Sequence, residues 1–299
     1  MSSQKKPFVS DKLAKHRKNV ARARRILMFI ILALILGGAS FFTYANTFQI
    51  HTVLVNGAKA VSPDEIKLAA ENGISGNNVI VPNRNVFLYP RNALKASIAS
   101  AFPRLDTIAV DVKNEVLLIT VTEREPAYLW CGESIPTNRQ ESFASACYFV
   151  DAKGFIFSTA PQFSDAVYSK IYTTLANATE PVGQFAMDAD VLARVSLFAK
   201  EIETPTFKPS AFSVTADGDA LIFLYRDSAV MPEVRLNPKH DALTDVAGFK
   251  TAVSSEPLKS KLTKSFANLE YIDVRFANKV FYKFHDEANT QQADESKKQ

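Results

Sequence analysis

The sequence predicts an α+β protein: a single N-terminal transmembrane helix, a β-α-α-β-β module, and then a β-rich mixed domain with helices on one face. Three observations lead there. Residues 26–44 form an uncharged apolar run of 19, and a helix of that length spans about 28 Å, close to the ~30 Å hydrocarbon core of a bilayer. Between residues 48 and 124 the hydrophobic period switches from strand to helix, stays helical once more, and returns to strand twice. Beyond Pro126 the chain breaks into short strands with few helices.

The 25 residues before the apolar run carry a charge of +8, against +4 for the whole chain. That asymmetry predicts an N-terminus in the cytoplasm and the rest outside. Thr43-Tyr44-Ala45 has the small-residue spacing of a signal-peptide cleavage site. The long basic region and the length of the apolar core favour an uncleaved anchor instead. Residues 48–57 read as a strand, with a bulge or change of face between Ile50 and Val53. Ser62-Pro63-Asp64-Glu65 reads as a helix start with a capping box, and Gly73 as its left-handed stop. A second helix runs over 91–102, with Leu94 and Ile98 on one face and Pro103 beyond it. Ile108, Val110 and Val112, and then Leu117, Ile119 and Val121, alternate with polar or small residues as two strands around Asn114.

After residue 125, strands are predicted at 128–130, twice within 147–157 around Asp151-Ala152-Lys153-Gly154, and near 167–172. Helical spacing comes next through Leu192, Val195, Phe198 and Ile202. A hairpin turns at Asp217-Gly218-Asp219, and a strand over 233–237 leads into a helix through Leu243, Val246, Phe249 and Val253. The last hairpin joins 269–276 to 280–284 through Ala277-Asn278-Lys279. The domain reading is a cytoplasmic basic tail 1–25, a transmembrane helix 26–45, a small module 48–124, a β domain 125–285 and a disordered tail 286–299.

The sequence pI near 8.9 comes almost wholly from the first 25 residues, so membrane topology explains it and nucleic acid is not expected as a partner. There is no nucleophile elbow, phosphate-cradling Gly loop, zinc-spaced His pair or paired-cysteine motif. The carboxylate pairs Asp64/Glu65 and Glu123/Glu125 read as helix-start and strand-end residues, not a catalytic dyad. The expectation is a binder and not an enzyme, with no cofactor, no metal and no small-molecule substrate. Cys131 and Cys147 allow two readings: a disulfide closing the loop from Gly132 to Ala146, or two free buried thiols.

The order of these pieces resembles the bacterial cell-division family FtsQ/DivIB. The small module is similar to a POTRA domain, carried by Phe48-Gln49-Ile50, Val53-Leu54-Val55-Asn56-Gly57 and Ser62-Pro63-Asp64-Glu65-Ile66. Further matching pieces are residues 101–108, Val121-Thr122-Glu123-Arg124-Glu125-Pro126, residues 147–157 and Tyr271-Ile272-Asp273-Val274-Arg275-Phe276. The resemblance covers the chain from the apolar run to Phe284. It implies a non-enzymatic divisome scaffold that binds FtsB and FtsL-like partners on the extracytoplasmic side and helps control septal peptidoglycan synthesis. It further implies a single-pass protein of the cytoplasmic membrane, enriched at the septum. In the family a partner adds a strand beside the last hairpin, with an Arg-Tyr pair among the contacts. Here that pair aligns with Arg275 and Phe276, so the aromatic is kept and the hydroxyl is lost.

The residues support that site by themselves. Nothing comes after the strand Val280, Phe281, Tyr282, Lys283 and Phe284 to pair with it, so it is expected to lie at a sheet edge with unpaired N–H and C=O groups. Phe281 and Tyr282 offer area, and Arg275 offers a two-pronged contact to a carboxylate. The bland alternative is an edge merely protected by Lys279 and Lys283. A second functional class is a transport or chaperone adaptor, since POTRA-like modules also serve translocating β-barrels.

Overall fold

The computed structural model describes residues 11–44, 46–78, 81–135, 146–163, 167–225, 231–276 and 279–285. Residues 1–10 of the basic tail, 136–145 of the inter-cysteine loop, the turn at 277–278 and the expected disordered tail 286–299 lie outside them. The chain divides into two compact units. One comprises residues up to Phe102 with Thr107–Thr122, the other Pro103–Asp106 with everything from Glu123 onward.

The first unit begins with α1, one continuous helix over Asp11–Tyr44. Among the described residues no helix is long and apolar enough to cross a membrane, which corrects the single-pass transmembrane helix expected over 26–45. Two contrasting segments make up α1. Its N-terminal half carries Lys12, Lys15, Arg17, Lys18, Arg22, Arg24 and Arg25. From Ile26 to Tyr44 it carries no charge.

The next module is β1 (Thr52–Asn56), α2 (Pro63–Gly73), the short β2 (Asn77–Asn78) and β3 (Val81–Pro82), α3 (Arg91–Ala101), β4 (Leu105–Lys113) and β5 (Val116–Glu123). The sheet order is β1-β5-β4, with β1 parallel to β5 from Thr52↔Val116 to Asn56↔Thr120. The apolar alternation appears directly as burial: Leu117, Ile119 and Val121 of β5 are buried, as are Ile66 and Ala70 of α2 and Leu94 and Ile98 of α3. Asn114 and Glu115, both with positive φ (49° and 66°), make the two-residue turn between β4 and β5.

Two expected caps of α2 differ from what forms. Ser62 is the N-cap residue, yet its side chain makes no capping hydrogen bond; its carbonyl accepts from Ile66 N at 3.3 Å. Gly73 is no left-handed stop, and the residue after it, Ile74, has φ −100°. A Cβ at Gly73 would lie 2.7 Å from Leu94 Cδ1, so the end of that side chain would have to shift where α2 meets α3. At Gly57 both constraints act together, because φ is +92° and a Cβ would sit 2.1 Å from the Val121 carbonyl oxygen.

The second unit is built on β6 (Tyr128–Trp130), β7 (Tyr148–Val150), β8 (Ile156–Thr159), β9 (Ser169–Tyr172), α4 (Ala189–Ile202), β10 (Pro209–Val214), β11 (Ala220–Leu224), β12 (Glu233–Leu236), α5 (Ala242–Ser254), α6 (Leu258–Ser265), β13 (Leu269–Phe276) and β14 (Lys279–Phe284). These strands form one nine-stranded mixed sheet in the order β14-β13-β12-β11-β10-β9-β6-β7-β8. Parallel pairing occurs between β6 and β9, which are linked through the β7–β8 hairpin, and also between β9 and β10 and between β12 and β13. The last two pairs are connected through α4 and through α5–α6, as parallel crossovers require. Leu192, Val195, Phe198, Val246, Phe249, Leu258 and Leu262 from the three helices share one cluster with Ile222, Val234, Ile272 and Phe284 of the sheet. The helices therefore cover one face. On the other, Leu129, Cys131, Tyr172 and Ala211 form a smaller cluster, flanked by Phe149, Phe163 and Tyr168.

Cys131 and Cys147 are bonded, so the free-thiol reading is excluded; the bridge joins the end of β6 to the start of β7. Arg124 anchors the start of the second unit. Its Nη1 donates to Asp151 Oδ2 at 2.5 Å and to Asp106 Oδ1 at 3.1 Å, and its guanidinium lies 4.2 Å from the Phe155 ring centroid. Asp151 Oδ1 in turn accepts from the backbone N–H groups of Lys153 and Phe155, shaping the turn before β8.

Candidate functional site

Strand β14 closes one end of the nine-stranded sheet. Among the described residues β13 flanks it on one side and no strand flanks it on the other. The opposite end is different. There Ile156 N donates to the Gln184 carbonyl and Gly183 N to the Ile156 carbonyl, so a passing segment covers β8 at its first residue.

The geometry of β14 is regular. Its register with β13 shifts between Leu269 and Tyr271 and again between Asp273 and Phe276. In both shifts β13 supplies the additional residue, so the bulges belong to β13 and the edge strand keeps an unbroken pleat. Burial along β14 alternates accordingly. Val280, Tyr282 and Phe284 turn toward the helix-covered core, while Lys279, Phe281 and Lys283 stand exposed on the other side.

These orientations sort the residues singled out from sequence. Phe276 is 51% and Phe281 48% exposed, and their rings meet edge to face at 5.2 Å between centroids. Lys283 is outward too, and its Nζ lies 2.8 Å from Glu270 Oε2 and donates to Glu270 Oε1 at 3.1 Å. That hydrogen bond holds its ammonium above the ordinary lysine range. Tyr282 faces inward, and Lys261 of α6 places its Nζ 5.5 Å from the Tyr282 ring and 5.7 Å from that of Phe284.

Arg275 does not present a free fork. Its Nε and Nη2 donate to Asp273 Oδ1 and Oδ2 at 2.9 and 2.6 Å, and its Nη1 donates to Asp219 Oδ2 at 2.6 Å. Asp273, then Asp219, push its pKa further up and fix it as a cation. The two-pronged carboxylate contact expected of Arg275 is thus made within the chain. Its guanidinium carbon also lies 5.8 Å from the Phe276 ring centroid. Next to it on the same sheet, Arg235 lies 4.1 Å over the Tyr271 ring and is paired with Glu233.

Several residues of this edge were not apparent from sequence. Asp273 and Arg275 are two apart on a strand and so share a face, a signal that was available. Asp219 lies 56 positions from Arg275 and no local pattern links them. Lys261 sits on a helix that the apolar periodicity does not reveal. Lys279 reads as a turn residue yet is the first residue of β14. Among the described residues no group of three or more His, Cys, Asp or Glu side chains could hold a metal ion.

The first unit also has sheet edges, at β1 and β4. The residues that β4 exposes are Asp106, Thr107, Ala109, Asp111 and Lys113, with no aromatic among them. An exposed aromatic pair beside an unpaired strand is the combination typical of a docking hot spot, and β14 has it. Compared with known proteins, the chain matches no family model and no curated protein.

Proposed function

We propose that this chain is a non-enzymatic scaffold of the FtsQ/DivIB type, which accepts a strand from a partner division protein along β14. The partners are FtsB and FtsL-like proteins, and the consequence is control of septal peptidoglycan synthesis. The observation that carries the reading is the open side of β14. Among the described residues, its backbone N–H and C=O groups on that side have no strand to pair with, and the exposed Phe276–Phe281 pair stands beside them. The disulfide between Cys131 and Cys147 supports an oxidising, extracytoplasmic setting for the second unit.

The test is capture of an FtsB/FtsL-type complex by the full chain and by two kinds of variant. Phe276→Ala combined with Phe281→Ala removes the exposed aromatic area, with capture expected to weaken at least about tenfold. Proline at 281 and proline at 282 are compared separately, because along a regular antiparallel edge adjacent N–H groups point to opposite sides. One of the two removes an outward donor and spares the β13 ladder. Undiminished capture by the alanine pair and by both proline variants would sink the proposal.

A further inference from the structure

We infer that the strand received by β14 carries two carboxylates four residues apart with an apolar side chain midway between them. This rests on the strand-addition reading above and specifies the chemistry of its partner. The basis is the outward face of β14, where Lys279, Phe281 and Lys283 stand at alternate positions on one side of the pleat. Side chains of an added strand meet that row position by position, because cross-strand neighbours on one face lie about 4.5–5.5 Å apart. Lysine at both ends calls for acid at both ends, and the Phe281–Phe276 pair calls for an apolar residue between them.

Both charged side chains on the outward row of β14 are cations. Lys279 makes no ion pair among the described residues. Lys283 has a single carboxylate partner, Glu270, at an exposed position, which leaves ammonium donors for a second acceptor. Arg275 adds no positive charge to this row, because two carboxylates, Asp273 and Asp219, surround its one guanidinium. Acid–apolar–acid at alternate positions reads the same in both directions, so the inference holds for parallel and antiparallel addition. The same lysines act against the wrong occupant. Two copies of β14 laid edge to edge would set lysines against lysines, which disfavours self-pairing and favours an acidic partner.

The experiment measures binding of three labelled seven-residue peptides to the full chain by fluorescence anisotropy. Each has threonine at alternate positions, and the other three positions are Glu-Val-Glu, Gln-Val-Gln or Lys-Val-Lys. The Glu peptide is expected to bind about tenfold more tightly than the Gln peptide at low salt, with the advantage shrinking as salt rises. In the Lys279→Glu/Lys283→Glu variant the order should invert in favour of the Lys peptide. Phe281→Ala should weaken all three alike. Equal binding of the Glu and Gln peptides, unmoved by the charge reversal, would overturn the acidic-partner inference and leave strand addition standing. No binding of any peptide, or binding indifferent to Phe281→Ala, would remove strand addition at β14 itself.

Discussion

Arg275 shows how a residue can look like a contact and act as a clamp. Asp273 is 4% exposed, and an unpaired carboxylate at that depth is costly. The bidentate contact from Arg275, two residues along the same strand, compensates that charge. Asp219 then ties the pair to the turn between β10 and β11. Arg275→Ala is therefore expected to lower the stability of the second unit by about 2 kcal/mol, read as a lower urea midpoint. Arg275→Ala combined with Asp273→Ala should cost less than the two single changes summed, since the second removes the charge that the first strands. Strict additivity would mean that the pair does not act as a unit. The effect on partner capture should track stability, whereas Phe276 and Phe281 should affect capture alone.

At the scale of elements, side-chain alternation carried much of the information. Leu117, Ile119 and Val121 announce β5, and Leu192, Val195, Phe198 and Ile202 announce α4, because burial on one face imposes the period. Asp188 completes α4 as its N-cap, accepting from the backbone N–H groups of Asp190 and Val191. What alternation could not convey was contact between elements. The short helix α6 buries only Leu258 and Leu262, too few to set a helical pattern. Gly73 looks like a helix stop in sequence because the approach of Leu94 is invisible there. The apolar run from Ile26 reads as a membrane span in sequence, whereas among the described residues no helix is long and apolar enough to cross a membrane.

The same limits apply at the site. An edge strand can be inferred from its place at the end of the last hairpin, but Lys261 and Asp219 come to it through tertiary packing alone. Gly57 gives an element-scale prediction. The turn leaving β1 passes against the Val121 carbonyl of β5, at a φ that L side chains rarely adopt. Gly57→Ala should therefore destabilise the first unit by about 2–3 kcal/mol, combining the strained dihedral with the steric conflict. Amide exchange at residues 117–121 should speed up. Unchanged exchange there would show that the β1–β5 pairing tolerates a Cβ at this turn.

Across the whole molecule, the disulfide and the candidate edge belong to the same sheet but lie far apart on it. Five strands separate β6, which carries Cys131 at its end, from β14, so at about 4.8 Å per strand spacing the two strands lie about 29 Å apart across the sheet. The bridge spans a sequence separation of 16, and closing a loop of that size stabilises a fold by about 3 kcal/mol in the chain-entropy account. That constraint acts on the unfolded chain of the second unit. It supplies neither backbone donors nor aromatic area to β14. Cys131→Ser with Cys147→Ser should accordingly lower the urea midpoint for loss of the nine-stranded sheet, read by amide exchange at residues 211–214 and 220–224. Exchange at residues 117–121 of the first unit should not change. Below that midpoint the variant should capture the partner with wild-type affinity. If capture were lost while the exchange protection of the nine-stranded sheet stayed intact, the docking surface would have to include the disulfide end of the sheet, and β14 alone would no longer account for it.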